Sequence, residues 1–155
     1  MDLTLSRKGD YAVRAAIALA NVDGGEYLKI REVAAAMEIP LTFTPQVLSA
    51  LAHAGLAEAK AGPRGGYRLT RSPSEITMLE IVEAAEGHLL SERCPLRGGP
   101  CRWEAVCAVH PTWVKASESI RATLANDSLA AVAEVDRRLQ RRGRRAAATN
   151  QPTPR

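Results

Sequence analysis

The chain has 155 residues, 46% hydrophobic and 4% aromatic, enough for one ordinary domain and an appendage. No apolar run of about eighteen residues exists to span a membrane, and the opening MDLTLSRKGD has no apolar signal core, so a cytoplasmic protein with reduced thiols and no membrane partner is expected. The net charge of +4 belongs to the tail: residues 1–136 hold fourteen Lys and Arg against all seventeen acids, which leaves −3, and seven arginines follow. Any claim of nucleic-acid binding therefore has to rest on local arrangement.

Residues 7–21, RKGDYAVRAAIALAN, carry a broad alanine-rich apolar face and predict a first helix closed by Asn21 and Asp23-Gly24-Gly25. Tyr27 to Ile30 reads as a short strand, and residues 31–38 as a second short helix broken by Ile39-Pro40. A third helix is expected from about Thr42 to Ala54, capped by Thr42 or Thr44, with Pro45 in its first turn and Gly55 past its end. Residues 56–60 and 67–69 flank the turn Ala61-Gly62-Pro63-Arg64-Gly65-Gly66 and predict a hairpin.

Thr77 and Glu80 form a capping-box pair ahead of a helix over Met78–Glu86, which Gly87 closes. Pro111 opens a long helix in which Trp113, Ala116, Ile120 and Leu124 recur at helical spacing. Asn126-Asp127-Ser128 interrupts it, and Ser128 caps a further helix containing Leu129, Val132, Ala133, Val135 and Leu139. Residues 143–155 have no apolar period and are expected to be disordered.

The order helix, short helix, turn, helix, hairpin is that of a winged helix-turn-helix. The fold expected is mainly α with a small β-hairpin wing: a DNA-binding domain over residues 1–87, a cysteine-rich loop over 88–110, long helices over 111–142 and a basic tail over 143–155. In such a fold the N-terminal side chains of the second helix of the motif meet base edges in the major groove. Here these are Thr42, Thr44, Gln46 and Ser49, with Gln46 able to bond adenine bidentately. Arg64, between glycines on the wing, suits a narrow minor groove, with Lys60 and Arg68 beside it. Arg7, Lys8, Lys29, Arg31 and Arg71 are candidates for phosphate contacts. Thr and Gln at a helix start also serve simply as caps, and winged helices also bind proteins; the ordered set together with the arginine wing is what favours double-stranded DNA.

All three cysteines, Cys94, Cys101 and Cys107, fall within fourteen residues, and His110 follows the last after two intervening residues. Three thiolates and a fourth ligand suit an iron–sulfur cluster. The same donors suit a Cys3His zinc site. Two cysteines near Arg93, Arg97 and Arg102 would also suffice for a thiol–disulfide switch. No nucleophile–base arrangement or phosphate loop supports an enzyme, and the glycines at 62, 65 and 66 lie in a hairpin rather than ahead of a helix.

The segments LSRKGDYAVRA, IPLTFTPQVLSALAHAGL, GPRGGYRL and ITMLEIVEAAEG, in this order, resemble the IscR and NsrR family of winged-helix transcriptional regulators over residues 1 to about 140. The resemblance implies a homodimer joined through the long helix after the cysteine loop. It also implies an iron–sulfur cluster on the three cysteines, although some members of the family lack them. The first gap, C-x6-C, is one residue longer than the family's usual spacing. His110, followed by Trp113, looks like the C-x2-H-x2-W of the branch in which histidine ligates a 2Fe–2S cluster. Asp10 matches the position where the other branch uses a partner-subunit carboxylate, and 4Fe–4S is the alternative cluster. Taken without the family, His110 could simply sit at a helix start, and Asp10 could be a first-turn acid favoured by the helix dipole. The function expected is a repressor that binds a palindromic operator under control of a cluster sensing iron–sulfur supply, nitric oxide or redox state. A zinc-bound adaptor for another protein is the rival class.

Overall fold

The structure is a computed structural model that describes residues 4–88 and 106–149. Within these, helix α1 (Arg7–Ala20) is followed by a short 3-10 turn at Asp23–Gly25, α2 (Ile30–Ala36), α3 (Thr44–His53), strands β1 (Ala57–Lys60) and β2 (Gly66–Leu69), a second 3-10 turn at Pro73–Glu75, α4 (Met78–Glu86), α5 (His110–Asn126) and α6 (Leu129–Thr149). The fold is mainly helical with a two-stranded antiparallel wing, in which Ala57 pairs with Leu69 and Lys60 with Gly66.

Helix α1 is the centre of the packing. Its alanines Ala12, Ala15 and Ala16 are essentially fully buried. Side chains this small let α2, α3, α4, β2 and α6 approach it. The core built around it contains Val33, Val47, Leu48, Leu51, Ile76 and Ile81. The N-cap Ser6 accepts from the N–H of Gly9, and its hydroxyl and N–H both donate to Glu86 Oε1, at 2.6 and 2.9 Å. The end of α4 is thereby tied to the start of α1. Gly9 leaves room for this, since a Cβ there would lie 2.1 Å from the same carboxylate oxygen.

The turn between α2 and α3 runs through Glu38, whose φ of 52° lies in the left-handed region. Ile39, buried just after it, donates its N–H to the carbonyl of Ala34 at 3.0 Å. A left-handed residue just past a helix end reverses the chain and satisfies its last carbonyls.

The expected strand at Tyr27–Ile30 reduces to a single bridge. Leu28 exchanges both backbone bonds with Tyr67, at 2.9 and 2.8 Å. Lys29 then takes the N-cap position of α2, its N–H donating to Glu32 Oε2 at 2.6 Å, so the ladder cannot continue. The hairpin and the Thr77 capping box form as expected.

Helices α5 and α6 meet at residues 127–128, and this junction is stitched to the entrance of α4. The N–H of Met78 donates to Asp127 O at 2.9 Å, and that of Leu129 to Ile76 O at 2.8 Å. Leu129 and Ala133 enter the core, and Arg137 Nη1 donates to Asn21 Oδ1 at 2.8 Å. Helix α6 is therefore part of the front domain. Helix α5 buries no residue; it packs along α4, and its Arg121 is ion-paired with Glu83. The helical chain continues through Gly143 to Thr149, beyond the expected start of a disordered tail. Its Arg and Ala residues are strong helix formers, enough to outweigh one glycine. Among the described residues no helix is long and apolar enough to cross a membrane.

Candidate functional site

The inner face of α3 is fixed by Val47, Leu48 and Leu51, all fully buried. Its outer face therefore presents Gln46 and, half-buried, Ser49. Thr42 lies exposed in the preceding turn. Thr44 is different from the expectation: it is fully buried, and its hydroxyl donates to Pro40 O at 3.1 Å. Thr44 fastens the start of the helix and has no surface for a base edge, while the N-cap position itself falls to Phe43. In place of Thr44 the structure brings forward Leu41 and Phe43, both exposed, with the Phe43 ring 5.7 Å from that of Tyr11 on α1. Searching for hydrogen-bonding side chains passes over these two apolar residues.

Beside this helix lies a shallow groove lined by Lys8 of α1, Gln46, Ser49 and His53 of α3, and Glu83 of α4. His53 turns back on its own helix, with Nδ1 2.7 Å from Ser49 O, a distance at which a ring N–H donates, and 3.2 Å from the Ser49 hydroxyl. Lys8 thus stands next to the polar face of α3, as a phosphate-directed cation should.

On the wing, Arg64 is exposed at the tip and has no hydrogen bond or ion pair among the described residues. Arg68 is held instead. Its Nε donates to Glu58 Oε1 at 2.6 Å, and its guanidinium lies 4.6 Å from the centre of the Tyr27 ring. Tyr27 also donates to Glu58 Oε1, at 2.7 Å, and Lys60 lies 5.5 Å from the centre of the same ring. The Tyr27 hydroxyl and then Arg68 hold the Glu58 carboxyl below its ordinary range, while the bond to Glu58 pushes the Tyr27 phenol and the Arg68 guanidinium up. This cluster stiffens the base of the wing and leaves its tip to Arg64. Lys29 is exposed at the start of α2.

Cys94 and Cys101 lie outside the described residues. Cys107 and His110 lie within them, both half-buried at the entrance of α5. The N–H of His110 donates to Cys107 O at 3.2 Å, closing one turn. His110 rather than Pro111 is the first residue of the helix. A thiol and an imidazole one turn apart are donors that suit a zinc ion or an iron–sulfur cluster. No group of three His, Cys, Asp or Glu capable of holding a metal occurs among the described residues. Asp10, the other candidate fourth ligand, is paired within α1 to Arg14 Nε at 3.0 Å. The donor chemistry of Cys107 and His110 fits either metal centre, and both residues lie at the entrance of α5.

Residues 5–135 match the Rrf2 family, described as iron-dependent transcriptional regulators. An HTH-type transcriptional regulator of Neisseria meningitidis is 31% identical over 133 residues, covering 85% of this chain and 88% of that protein. The regulator IscR of Cereibacter sphaeroides is 42% identical over 86 residues, 54% of this chain and 56% of its own length. Among solved structures, CymR, the global cysteine regulator of B. subtilis, superposes with a TM-score of 0.70 at 24% identity, covering 86% of this chain and 98% of that one. At that identity the likeness shows the fold alone.

Proposed function

The chain belongs to the Rrf2 family of transcriptional regulators, and we propose that it is a homodimeric repressor whose hold on a palindromic operator is set by an iron–sulfur cluster in the loop between α4 and α5. Its relatives are named as regulators of transcription, a role without catalysis.

The observation that carries the proposal is the entrance of α5, where Cys107 and His110 close one turn leading into a helix that buries nothing within its own chain. Exposed Val109 and Ile120, with Trp113 and Leu124 on the same helix, make a stripe suited to a second copy of α5. Ligands at the head of a dimer helix can change how two recognition helices are spaced, and half-sites about one helical turn apart tolerate little misplacement. Cys94, Cys101 and Cys107 would hold the cluster with His110 as fourth ligand. His110 is preferred to Asp10 because it is continuous with Cys107, whereas Asp10 is engaged by Arg14. The 2Fe–2S form is what the likeness to the histidine-ligated branch implies; 4Fe–4S is the alternative. When bound, the cluster supplies a redox- and nitric-oxide-reactive centre; the chain supplies the helix that it aligns.

Gln46, Ser49 and Thr42 would face the major groove, Arg64 the minor groove, and Lys8 and Lys29 the phosphates. Arg68 would act by stiffening the wing, and Thr44 by fixing the helix start.

One preparation tests both halves. The protein is purified without oxygen, its visible spectrum, iron and sulfide are recorded, and its mass in solution is measured. A dimer coloured by iron and sulfide, with colour lost in Cys107→Ala and shortened in lifetime by His110→Ala, is expected. A colourless protein containing zinc would overturn the cluster. A colourless protein whose operator binding responds to a disulfide would favour the thiol switch. Shortened lifetime in Asp10→Ala alone would reverse the choice of fourth ligand.

A further inference from the structure

The large apolar side chains exposed among the described residues fall into four places. Val106, Val109 and Ile120 belong to α5 and its approach, Val135 and Leu139 to α6, and Leu5 to the N-terminal segment. Leu41 at 49% exposure and Phe43 at 36% stand apart from these, at the head of the recognition helix.

Their exposure follows from the turn. Pro40 O accepts from the N–H of Phe43 at 2.9 Å, the N–H of Thr44 at 3.2 Å and the Thr44 hydroxyl at 3.1 Å. These bonds draw Thr44 into the core with Val47 and Leu48, so Leu41 and Phe43 come to lie outside, flanking Thr42 in the turn that leads to Gln46. The Phe43 ring leans on Tyr11 at 55°, which limits its rotamers before anything binds. The apolar surface that these two side chains leave in water at this end of the helix gains the fold nothing. The major groove offers them an apolar partner, the C5 methyl of thymine.

We propose that Leu41 and Phe43 read thymine, seating C5 methyl groups in the major groove beside the base that Gln46 contacts. The proposal rests on the DNA-binding reading above and deepens it. An A·T pair shows adenine N7 and N6 to a glutamine and a methyl to an apolar side chain in one groove. The half-site should therefore have A·T pairs where the head of α3 enters. The surroundings favour DNA over a protein partner, because Lys8 and the polar groups Gln46, Ser49 and His53 line the adjoining groove, whose one acid, Glu83, is already paired with Arg121.

The test removes the methyl from the DNA and leaves the protein intact. The full-length protein, purified without oxygen, selects its preferred duplex from a random library. Each thymine of that duplex is then replaced in turn by deoxyuridine, which lacks only the methyl. At one or more positions per half-site the wild-type affinity should fall about fourfold, the value of one buried methyl. That sensitivity should vanish in Leu41→Ala or Phe43→Ala and persist in Gln46→Ala. Equal binding to every uracil duplex would overturn the proposal while leaving the DNA reader standing. So would unchanged uracil sensitivity in both alanine variants, or a Leu41→Ala variant that loses dimer mass while the wild type ignores the methyl. If no duplex is selected at all, the DNA reading fails first and this proposal with it.

Discussion

The backbone N–H of Leu129 donates to the carbonyl of Ile76 at 2.8 Å, and both side chains are fully buried. One contact thus joins the last helix of the chain to the start of α4, more than fifty residues earlier. Helix α5 leads into this anchor point with none of its own residues buried, packed along α4 with Arg121 paired to Glu83. Leu129→Ala should destabilise the front domain by about 2–4 kcal/mol, the range for a leucine cavity in a core. Thermal unfolding should show one transition shifted down, with the α1–α4 signals moving together. A loss confined to dimer dissociation would mean that α6 is not part of this core.

Glu38 occupies a left-handed conformation with φ 52°, which costs a residue bearing a Cβ about 1 kcal/mol relative to glycine. Glu38→Gly should raise stability by up to about that amount, reduced by the greater freedom of glycine in the unfolded chain. Denaturant melts should show the midpoint rising with an unchanged slope.

Gly66 is the opposite case. Its φ is 148°, and a Cβ there would lie 2.2 Å from the backbone oxygen of Leu28. The atoms it would meet, of Leu28 and Lys29, are all backbone, so the bridge between Leu28 and Tyr67 has to open. Gly66→Ala should cost roughly 2 kcal/mol or more and raise amide exchange at Tyr67 and Leu28. Exchange unchanged at both would refute the close approach.

On the wing, Arg64 and Arg68 should behave differently although both are exposed arginines. Arg64→Ala should weaken operator binding roughly tenfold and reduce the salt dependence by about one charge. Arg68→Ala should do less to the salt dependence, because its charge already faces Glu58. Titrations at several salt concentrations separate the two; equal salt slopes would show that Arg68 reaches phosphate as well.

Acid should loosen α6 through Glu134. Its carboxylate accepts from Arg138 and Arg137, which lower its pKa from 4.5 to about 2. A depressed folded-state pKa contributes stability that is present above pH 4.5 and lost as pH falls towards 2. Glu134→Gln should flatten the stability profile in that window, converging with the wild type in acid and lying slightly below it at neutral pH, a small difference because the pair is solvent-screened. Profiles that stay parallel throughout would refute the assignment.

Much of the fold was legible because its local signals agree. The capping box at Thr77 and Glu80, the glycine turn between residues 57–60 and 66–69, and the apolar spacing of α1 and α3 each specify their element without distant help. The Tyr27–Ile30 strand was misread because its pattern is compatible with a strand, while its length is limited by the cap of α2, a matter of which backbone partner arrives first. Helix α6 runs to Thr149, past its last apolar residue of helical spacing, because apolar periodicity finds only helices with a buried face, and arginines and alanines need none.

The sequence alone determined the winged-helix order, the family likeness and the presence of three cysteines with a histidine one turn on. Each of these is a matter of residue identity and spacing along one strand of covalent chain. Only the tertiary structure decided which side chains face outward. Thr44 has the chemistry of a base reader, yet the bond to Pro40 and the packing of Val47 and Leu48 turn it inside. Leu41 and Phe43 have the chemistry of a core, yet the same turn leaves them in water. Orientation at a helix start depends on one carbonyl and its competing donors, and no periodicity in the sequence records which of them it accepts.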